Sequence, residues 1–226
     1  MTLSLGETGL DLTSKIILVT GGGSGIGLEL TRQLVALGNT VIICGRDADR
    51  LAEAARLTGA QAIAGDVTVA EDQERILSDV QAQHGRLDLL INNAGIQHVA
   101  PIEDFPAAKW DAIIAINMSS AFHTTAAALP VMRAAGWGRV INIASAHGLR
   151  ASPFKAAYVT AKHGVVGMTK VVGLETAKEP ITANAICPGY VLTPLVEGQI
   201  PATAKEYGIS EDEAISTIIL APQPSK

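Results

Sequence analysis

The chain has 226 residues, of which 48% are hydrophobic and 17% charged, a balance typical of a folded globular protein rather than a disordered one. Its length suits one core, so we expect a single domain over residues 1–226. The net charge of −5 argues against a nucleic-acid-binding surface, which would be basic.

Strands and helices are predicted to alternate along most of the chain. The apolar runs that predict strands lie at residues 16–19, 41–43, 61–64, 87–91, 140–143 and 181–186. The patterns that predict helices lie at residues 26–37, 50–57, 69–84, 107–135 and 157–177, and Pro130 is expected to bend the fourth helix. Continuous apolar strands between helices predict an α/β fold, a doubly wound parallel sheet covered by helices on both faces. Ligands of such a sheet bind at the carboxyl ends of the strands.

Residues 195–220 differ from the rest of the chain, because they predict two short helices without a strand between them. The second helix begins with a capping box at residues 210–213. We expect this segment to be a helical lid over a substrate. The chain then ends at Lys226 without a closing strand, which suggests either a shortened sequence or a sheet with an unpaired edge.

Several absences suggest where the protein works. No basic start followed by an apolar core marks a secretion signal, and Gly, Pro and polar residues interrupt the apolar runs that would have to span a bilayer. Cys44 and Cys187 fit neither a CxxC pair nor a metal-ligand spacing, so we expect buried free thiols and no metal site. A cytoplasmic protein is predicted, without a membrane or nucleic-acid partner.

A glycine-rich loop, TGGGSGIG at residues 20–27, directly follows the first predicted strand. Glycine permits a positive φ and close approach of a ligand, and the N-terminus of the next helix attracts a pyrophosphate. The G-x-G-x-x-G pattern fits no register, whereas T-G-x-x-x-G-I-G fits with Gly21, Gly25 and Gly27 at its set positions. The loop predicts dinucleotide binding; the alternative, a flexible turn, does not require so many glycines.

Tyr158 and Lys162 are four residues apart at the start of a predicted helix, so both lie on one face. An ammonium near a phenol favours the phenolate, and we therefore expect a lowered pKa for Tyr158 and proton exchange with a substrate oxygen. Ser145 adds a hydroxyl upstream. The alternative is a surface pair on an amphipathic helix, which is common for a single Y-x-x-x-K.

The order of these motifs resembles that of the short-chain dehydrogenases/reductases over about residues 12–194. The motifs that carry the resemblance are TGGGSGIG, Asn92-Asn93-Ala94-Gly95, Asn117, Ser145, Tyr158-x-x-x-Lys162 and Pro188-Gly189. The resemblance implies a Rossmann-type fold and hydride transfer to or from a nicotinamide cofactor. It makes Tyr158 the general acid/base, Lys162 the residue that lowers its pKa and holds the nicotinamide ribose, and Ser145 a ligand of the reacting oxygen. Asn117 would kink its helix and hold a water in a proton relay to Lys162.

The resemblance also implies a cofactor-binding set. Asp66 would contact the adenine, although an ordinary strand-end turn is an alternative role for it. Arg46 stands where an acid would bind the ribose hydroxyls of NAD, and an arginine could instead meet the 2′-phosphate of NADP. We expect NAD and keep NADP as the alternative. The other members are Gly21, Ser24, Gly25, Ile26, Gly27, Asn93, Ala94, Gly95, Tyr158, Lys162, Pro188, Gly189, Val191 and Thr193.

Segments 96–106, 145–148, 154–158 and 194–200 resemble one subfamily in particular, the bacterial D-3-hydroxybutyrate dehydrogenases. Residues that match its ligands for the substrate carboxylate complete a predicted substrate-binding set of Gln97, Ser145, His147, Lys155, Tyr158 and Gln199. A lysine and polar donors suit a small carboxylate, because an unpaired charge in a closed pocket is costly. Taken singly, His147 could be a loop histidine and Lys155 a solvated charge. Tyr190 replaces the usual tryptophan, which implies a roomier or more polar pocket wall.

The resemblance therefore implies interconversion of (R)-3-hydroxybutyrate and acetoacetate by a homo-oligomer, a tetramer in this family. Two alternatives stay open. One is an NADP-dependent carbonyl reductase with another small substrate, which Arg46 and Tyr190 favour. The other is a nucleotide-binding protein without turnover, suggested by the ending of the chain.

Overall fold

The computed structural model describes residues 12–219, and its centre is one sheet of six parallel strands. The strands are β1 (Ile16–Thr20), β2 (Thr40–Gly45), β3 (Gln61–Ala64), β4 (Leu89–Asn92), β5 (Gly138–Ile143) and β6 (Ile181–Ile186). Their order is β3-β2-β1-β4-β5-β6, so the direction of winding reverses between β1 and β4. A ligand crevice is expected there, at the carboxyl ends of the strands. The predicted doubly wound parallel sheet is confirmed.

Helices connect the strands and cover the sheet. They are α1 (Gly25–Ala36), α2 (Ala48–Thr58), α3 (Ala70–His84), α4 (Ala107–Ile114), α5 (Ser120–Ala135) and α6 (Ala156–Glu175). Alternate residues of the apolar strands pack on opposite faces, with Leu18 in the cluster that includes α3 and α5, and Ile17 in the cluster that includes α1 and α2. Both faces of the central strands β1 and β2 are buried, which is why their sequences are continuously apolar, whereas the edge strands β3 and β6 are largely exposed.

A distortion separates α4 from α5, where residues Ala115–Ser119 form a π-helical segment. The whole helix runs from Ala107 to Ala135, and Pro130 lies within regular α5. Within the described residues this is the one helix that is long and apolar enough to cross a membrane, contrary to the expectation from the interrupted apolar runs. Half of its apolar window is buried inside the fold, as in the core helix of a globular protein.

Three short helices, rather than the predicted two, form the last described segment. They are α7 (Pro194–Glu197), α8 (Ile200–Tyr207) and α9 (Glu211–Glu213), which continues into a π-helical segment, Ala214–Ile219. The predicted capping box is confirmed, since the Ser210 and Glu213 side chains each bond the other's backbone N–H. Residues 220–226, with the end of the predicted lid, lie outside the described residues. Within residues 12–219, β6 pairs with β5 alone and is an edge strand.

The two cysteines occupy different environments. Cys44 in β2 is fully buried, and burial raises the pKa of its thiol to about 12. Cys187 is only half-buried, so the expectation of two buried thiols is wrong for Cys187. Both thiols are free. In the described part of the chain, no group of three His, Cys, Asp or Glu side chains is close enough to hold a metal ion.

Candidate active site

The glycine loop packs directly against the segment that follows β4. The Asn93 side chain donates to the carbonyl oxygens of Thr20 and Gly21, both at 3.1 Å. Gly21 has a φ of 67° in the left-handed region, and a Cβ there would lie 2.9 Å from the Cα of Ala94. A Cβ at Gly27 would collide with the Gly21 carbonyl oxygen and the Asn93 amide. The loop is therefore a tightly packed cradle rather than a flexible turn.

A cavity of about 540 Å³ opens at the carboxyl ends of β1, β2 and β4, beside this loop. The predicted cofactor residues that line it are Gly21, Ser24, Arg46, Asp66, Ala94 and Gly95. Asp66 accepts hydrogen bonds from the backbone N–H and the hydroxyl of Thr68 at 2.9 and 2.8 Å, so it also has the turn role weighed as the alternative. Its carboxylate is 3.9 Å from the Arg46 guanidinium.

Arg50 lines the same cavity and was missed in the sequence, although it follows Arg46 by four residues. It lies in the first turn of α2, where its backbone N–H donates to the capping Asp47 carboxylate at 3.0 Å. Two guanidinium groups therefore stand at the adenosine end of the predicted cofactor site. The signal that could have identified Arg50 was a second basic residue about one helical turn after Arg46.

A smaller cavity of about 100 Å³ links the first cavity to the catalytic residues. It shares Gly95 with the first cavity. Its other predicted cofactor residues are Ile26, Asn93, Tyr158, Lys162, Pro188, Gly189, Val191 and Thr193. Gly25 and Gly27 line neither cavity and shape the loop instead, Gly25 with a φ of 52°. An extended dinucleotide would fit this path, because the path runs from the glycine cradle to Tyr158.

The catalytic candidates Ser145, Tyr158 and Lys162 come together where β5 ends and α6 begins. Lys162 is only 4% exposed, which excludes the alternative of a surface pair. Its Nζ donates to the carbonyl oxygen of Ile143 at 2.7 Å, and burial lowers the pKa of Lys162 to about 8. A buried cation near a phenol suits a site that must stabilise negative charge on a reacting oxygen.

The predicted lowering of the Tyr158 pKa is wrong for this arrangement of side chains. Burial raises the pKa of Tyr158, a hydrogen bond with Ser145 opposes the rise, and the nearby Tyr190 adds to it. The Lys162 Nζ lies 5.6 Å from the centroid of the Tyr158 ring and is directed at the Ile143 carbonyl. Desolvation of the phenolate therefore outweighs the one opposing interaction, the hydrogen bond with Ser145.

Asn117 lies in the π-helical segment, in agreement with the predicted distortion of its helix. Its side-chain oxygen accepts from the Ile96 backbone N–H at 2.8 Å, and its side-chain nitrogen donates to the Ile96 carbonyl at 2.9 Å. The amide thus fixes the backbone immediately after Gly95. The water relay from Asn117 to Lys162 stays a prediction.

A third cavity, of about 540 Å³, contains the predicted substrate residues. Those that line it are Gln97, Ser145, His147, Lys155, Tyr158 and Gln199. Lys155 is 6% exposed, so it is not the solvated charge weighed as the alternative, and burial lowers its pKa to about 8. Its Nζ donates to the Tyr190 hydroxyl at 2.8 Å. The cavity therefore has a buried cation on the wall beside the candidate acid/base.

His147 is held in the same cavity by Ser152, a residue outside the predicted site. Its Nε2 is 2.7 Å from the Ser152 hydroxyl, and its Nδ1 is 3.5 Å from that of Ser145. Burial, and then the charge of Lys155, lower the pKa of His147 to about 4. The imidazole is therefore neutral at pH 7, with one N–H to donate.

The two glutamines line the cavity, while part of each amide is engaged locally. The Gln97 side-chain oxygen accepts from the His98 backbone N–H at 3.2 Å. The Gln199 side-chain nitrogen donates to the Leu195 carbonyl at 2.8 Å. The structure therefore brings all four predicted carboxylate ligands to one cavity.

A buried polar network beneath the site was also missed. Asn92 donates to the side-chain oxygen of Asn142 at 2.9 Å and accepts from the Thr124 hydroxyl at 2.7 Å. Asn142 donates in turn to the Thr169 hydroxyl at 2.8 Å. These bonds join β4, β5, α5 and α6 under the catalytic residues. The sequence shows Asn92 and Asn142 in apolar strands but does not indicate which side chains they bond, because those partners are distant along the chain.

This fold and site define a class of nucleotide-dependent oxidoreductases, in which a dinucleotide crevice leads to a tyrosine, a lysine and a serine. The sequence profile of the family described as short chain dehydrogenase matches residues 15–203, and the chain belongs to that family. The protein is therefore an oxidoreductase that uses a nicotinamide cofactor.

The similarity extends over most of two curated relatives. The chain is 52% identical over 223 residues to a D-beta-hydroxybutyrate dehydrogenase from Cupriavidus necator, covering 95% of this chain and 85% of the relative. It is 48% identical over 220 residues to another from Rhizobium meliloti, covering 94% and 85%. A crystal structure of an actinorhodin polyketide ketoreductase variant with NADPH matches with a TM-score of 0.86 at 34% identity, covering 91% of this chain and 81% of that one.

Proposed function

We propose that the protein is a D-3-hydroxybutyrate dehydrogenase, which interconverts (R)-3-hydroxybutyrate and acetoacetate with NAD. The observation that carries the proposal is the buried ammonium of Lys155 in the cavity beside Tyr158. No ion pair among the described residues includes Lys155. A buried charge is costly without an opposite charge, and a substrate carboxylate would supply one. The similarity to two D-beta-hydroxybutyrate dehydrogenases supports this substrate.

In the proposed reaction, the residues of the chain hold the acid and move one proton. Lys155 and the neutral His147 bind the carboxylate, which sets the reacting carbon near Tyr158. In reduction, the Tyr158 phenol gives its proton to the carbonyl oxygen as the carbon receives the hydride, and in oxidation the Tyr158 phenolate takes that proton back as the C–H bond gives up its hydride. Ser145 donates a hydrogen bond to the substrate oxygen in both directions. The bound nicotinamide would supply the hydride acceptor. The Lys162 ammonium stabilises the negative charge of the Tyr158 phenolate.

The test is turnover measured by nicotinamide absorbance, with NAD and NADP each against 3-hydroxybutyrate. Lys155→Met keeps the length of the stem and removes the charge, and we expect KM to rise about 10- to 100-fold. Lys170→Met, on the exposed side of α6, is the matched control and should change KM less than twofold. Unchanged KM in Lys155→Met would contradict the carboxylate assignment. No turnover with either cofactor in a folded sample would contradict the function.

A second candidate is an NADP-dependent carbonyl reductase, and the observation that favours it is the pair Arg46 and Arg50 at the adenosine end. An arginine there can bind the 2′-phosphate of NADP, whereas a carboxylate binds the ribose hydroxyls of NAD. Arg46→Asp should raise the ratio of kcat/KM for NAD to that for NADP at least tenfold. A wild-type protein that already prefers NADP strongly would favour this candidate.

We also propose that the active form is a homo-oligomer, a tetramer by the family resemblance. Light scattering coupled to size-exclusion chromatography measures the mass directly. A monomer at assay concentration with full activity would contradict this proposal.

A further inference from the structure

One wall of the substrate cavity is formed by a hydrogen-bonded pair, Lys155 and Tyr190. Lys155 caps the start of α6, and Tyr190 belongs to the segment after β6. The Lys155 Nζ donates to the tyrosine oxygen at 2.8 Å, and the lysine is 6% exposed. The position of a long and flexible side chain is thus determined by an acceptor from a distant part of the chain.

The ring of Tyr190 also contacts His147, which packs against Tyr158. It stands edge-on to the ring of His147, with 6.0 Å between centroids and an interplanar angle of 84°. His147 in turn stands edge-on to Tyr158 at 6.1 Å. Tyr190 therefore contacts both Lys155 and His147, the two residues proposed to bind the carboxylate, and His147 in turn contacts Tyr158.

We propose that Tyr190 is a positioning residue that holds the Lys155 ammonium in the cavity wall and so sets the selectivity for acids over uncharged ketones. The selectivity part rests on the proposed function. An ammonium has three donors and no acceptor, and its stem has many rotamers. An oxygen acceptor that fixes one rotamer also fixes where the substrate carboxylate is bound. The carbonyl carbon is then carried to a constant distance from Tyr158.

The acceptor also affects the charge of Lys155. Burial already lowers the pKa of Lys155 to about 8. A hydrogen bond to the charged form favours that form, so loss of the Tyr190 oxygen should lower the pKa further. The titratable and charged groups that line the cavity around Lys155 are His147, Arg150, Tyr158, Tyr190 and Tyr207. Among the described ion pairs, none brings a carboxylate to Lys155 to offset the change.

The test compares Tyr190→Phe with Tyr207→Phe. Each change removes one hydroxyl from the same cavity wall, but Tyr207 packs its ring edge-on to Phe154 at 5.2 Å and gives Lys155 no hydrogen bond. For Tyr190→Phe we expect KM for acetoacetate to rise about tenfold at pH 7, with little change for an uncharged methyl ketone of similar size. The pH above which KM for acetoacetate rises should fall from about 8 by roughly one unit. Tyr207→Phe should leave that pH unmoved.

A purely structural role for Tyr190 would lower kcat/KM equally for the acid and the uncharged ketone and would leave the pH profile in place. Either result would overturn the proposal. A substrate-free measurement separates this failure from that of the proposed function. Carbon-13 NMR of labelled lysine, with the Lys155 signal assigned from Lys155→Met, should titrate at a lower pH in Tyr190→Phe than in the wild type. Equal titration in the two proteins would refute the positioning role even if 3-hydroxybutyrate proved not to be the substrate.

Discussion

Lys162→Met should abolish turnover and yet make the fold at least as stable as the wild type at pH 7. Burial moves the pKa of Lys162 from 10.5 to about 8, which costs the folded state roughly 3 kcal/mol while the lysine is charged. Methionine removes this cost and fills similar space. The Ile143 carbonyl then loses the donor at 2.7 Å, which costs about 1–3 kcal/mol. The two terms leave the variant between equal and about 2 kcal/mol more stable.

The pH dependence gives the sharper form of this prediction. Below pH 8, Lys162 is charged in the folded and in the unfolded chain, so the full cost of its burial is present. From about pH 8 to pH 10.5 the folded protein has released the proton and the unfolded chain still binds it, so wild-type stability rises with pH. The variant lacks this gain. The stability difference between the two proteins should therefore shift towards the wild type by roughly 3 kcal/mol over that range.

Urea denaturation at pH 7 and pH 9.5, followed by circular dichroism, measures the difference between the two proteins. Lys170→Met on the exposed side of the same helix is the matched control and should follow the wild type at both pH values. A Lys162→Met protein that is clearly less stable than the wild type at pH 7, with the same pH dependence, would refute the reasoning. Lys162 would then contribute to stability, rather than being retained at a cost for catalysis.

Three further substitutions test other parts of the site. Tyr158→Phe should fold and still bind the nicotinamide cofactor, with kcat lowered at least 100-fold, because the proton-transferring hydroxyl is lost while the ring stays; retained kcat would remove Tyr158 from the acid/base role. Gly27→Ala should weaken cofactor binding at least tenfold in a fluorescence titration, since its Cβ would collide with the Gly21 carbonyl; unchanged affinity would show that the loop can relax. Asn142→Ala should lower the free energy of unfolding by about 2–3 kcal/mol, because its partners in the buried network lose their bonds; a loss under 0.5 kcal/mol would show that water replaces them.

The elements and the location of the site could be predicted from the sequence because local signals carry them. A parallel strand buried on both faces needs an unbroken apolar run, and the runs at 16–19 and 41–43 lie within the buried strands β1 and β2. The segments predicted at 61–64 and 181–186 match the more exposed edge strands β3 and β6 to the residue. The glycine loop and the Tyr158–Lys162 pair are set by spacing along the chain, whereas Asn117 followed from the family resemblance; the fold brings each of them to the site. The number of short helices after residue 194 was not predictable, because few-residue helices depend on packing more than on propensity.

The sequence alone determined the chemistry: a phenol, an ammonium and a hydroxyl at positions that a parallel sheet brings to the carboxyl ends of its strands. Only the tertiary structure decided the charge states and partners of these groups. Burial raises the pKa of Tyr158 where the spacing to Lys162 predicted a decrease, because desolvation depends on every chain segment packed around the phenol. The hydrogen bond between Lys155 and Tyr190 joins residues 35 positions apart and also depends on how distant segments pack. Contacts between distant segments leave no local pattern, and the fold alone brings them together.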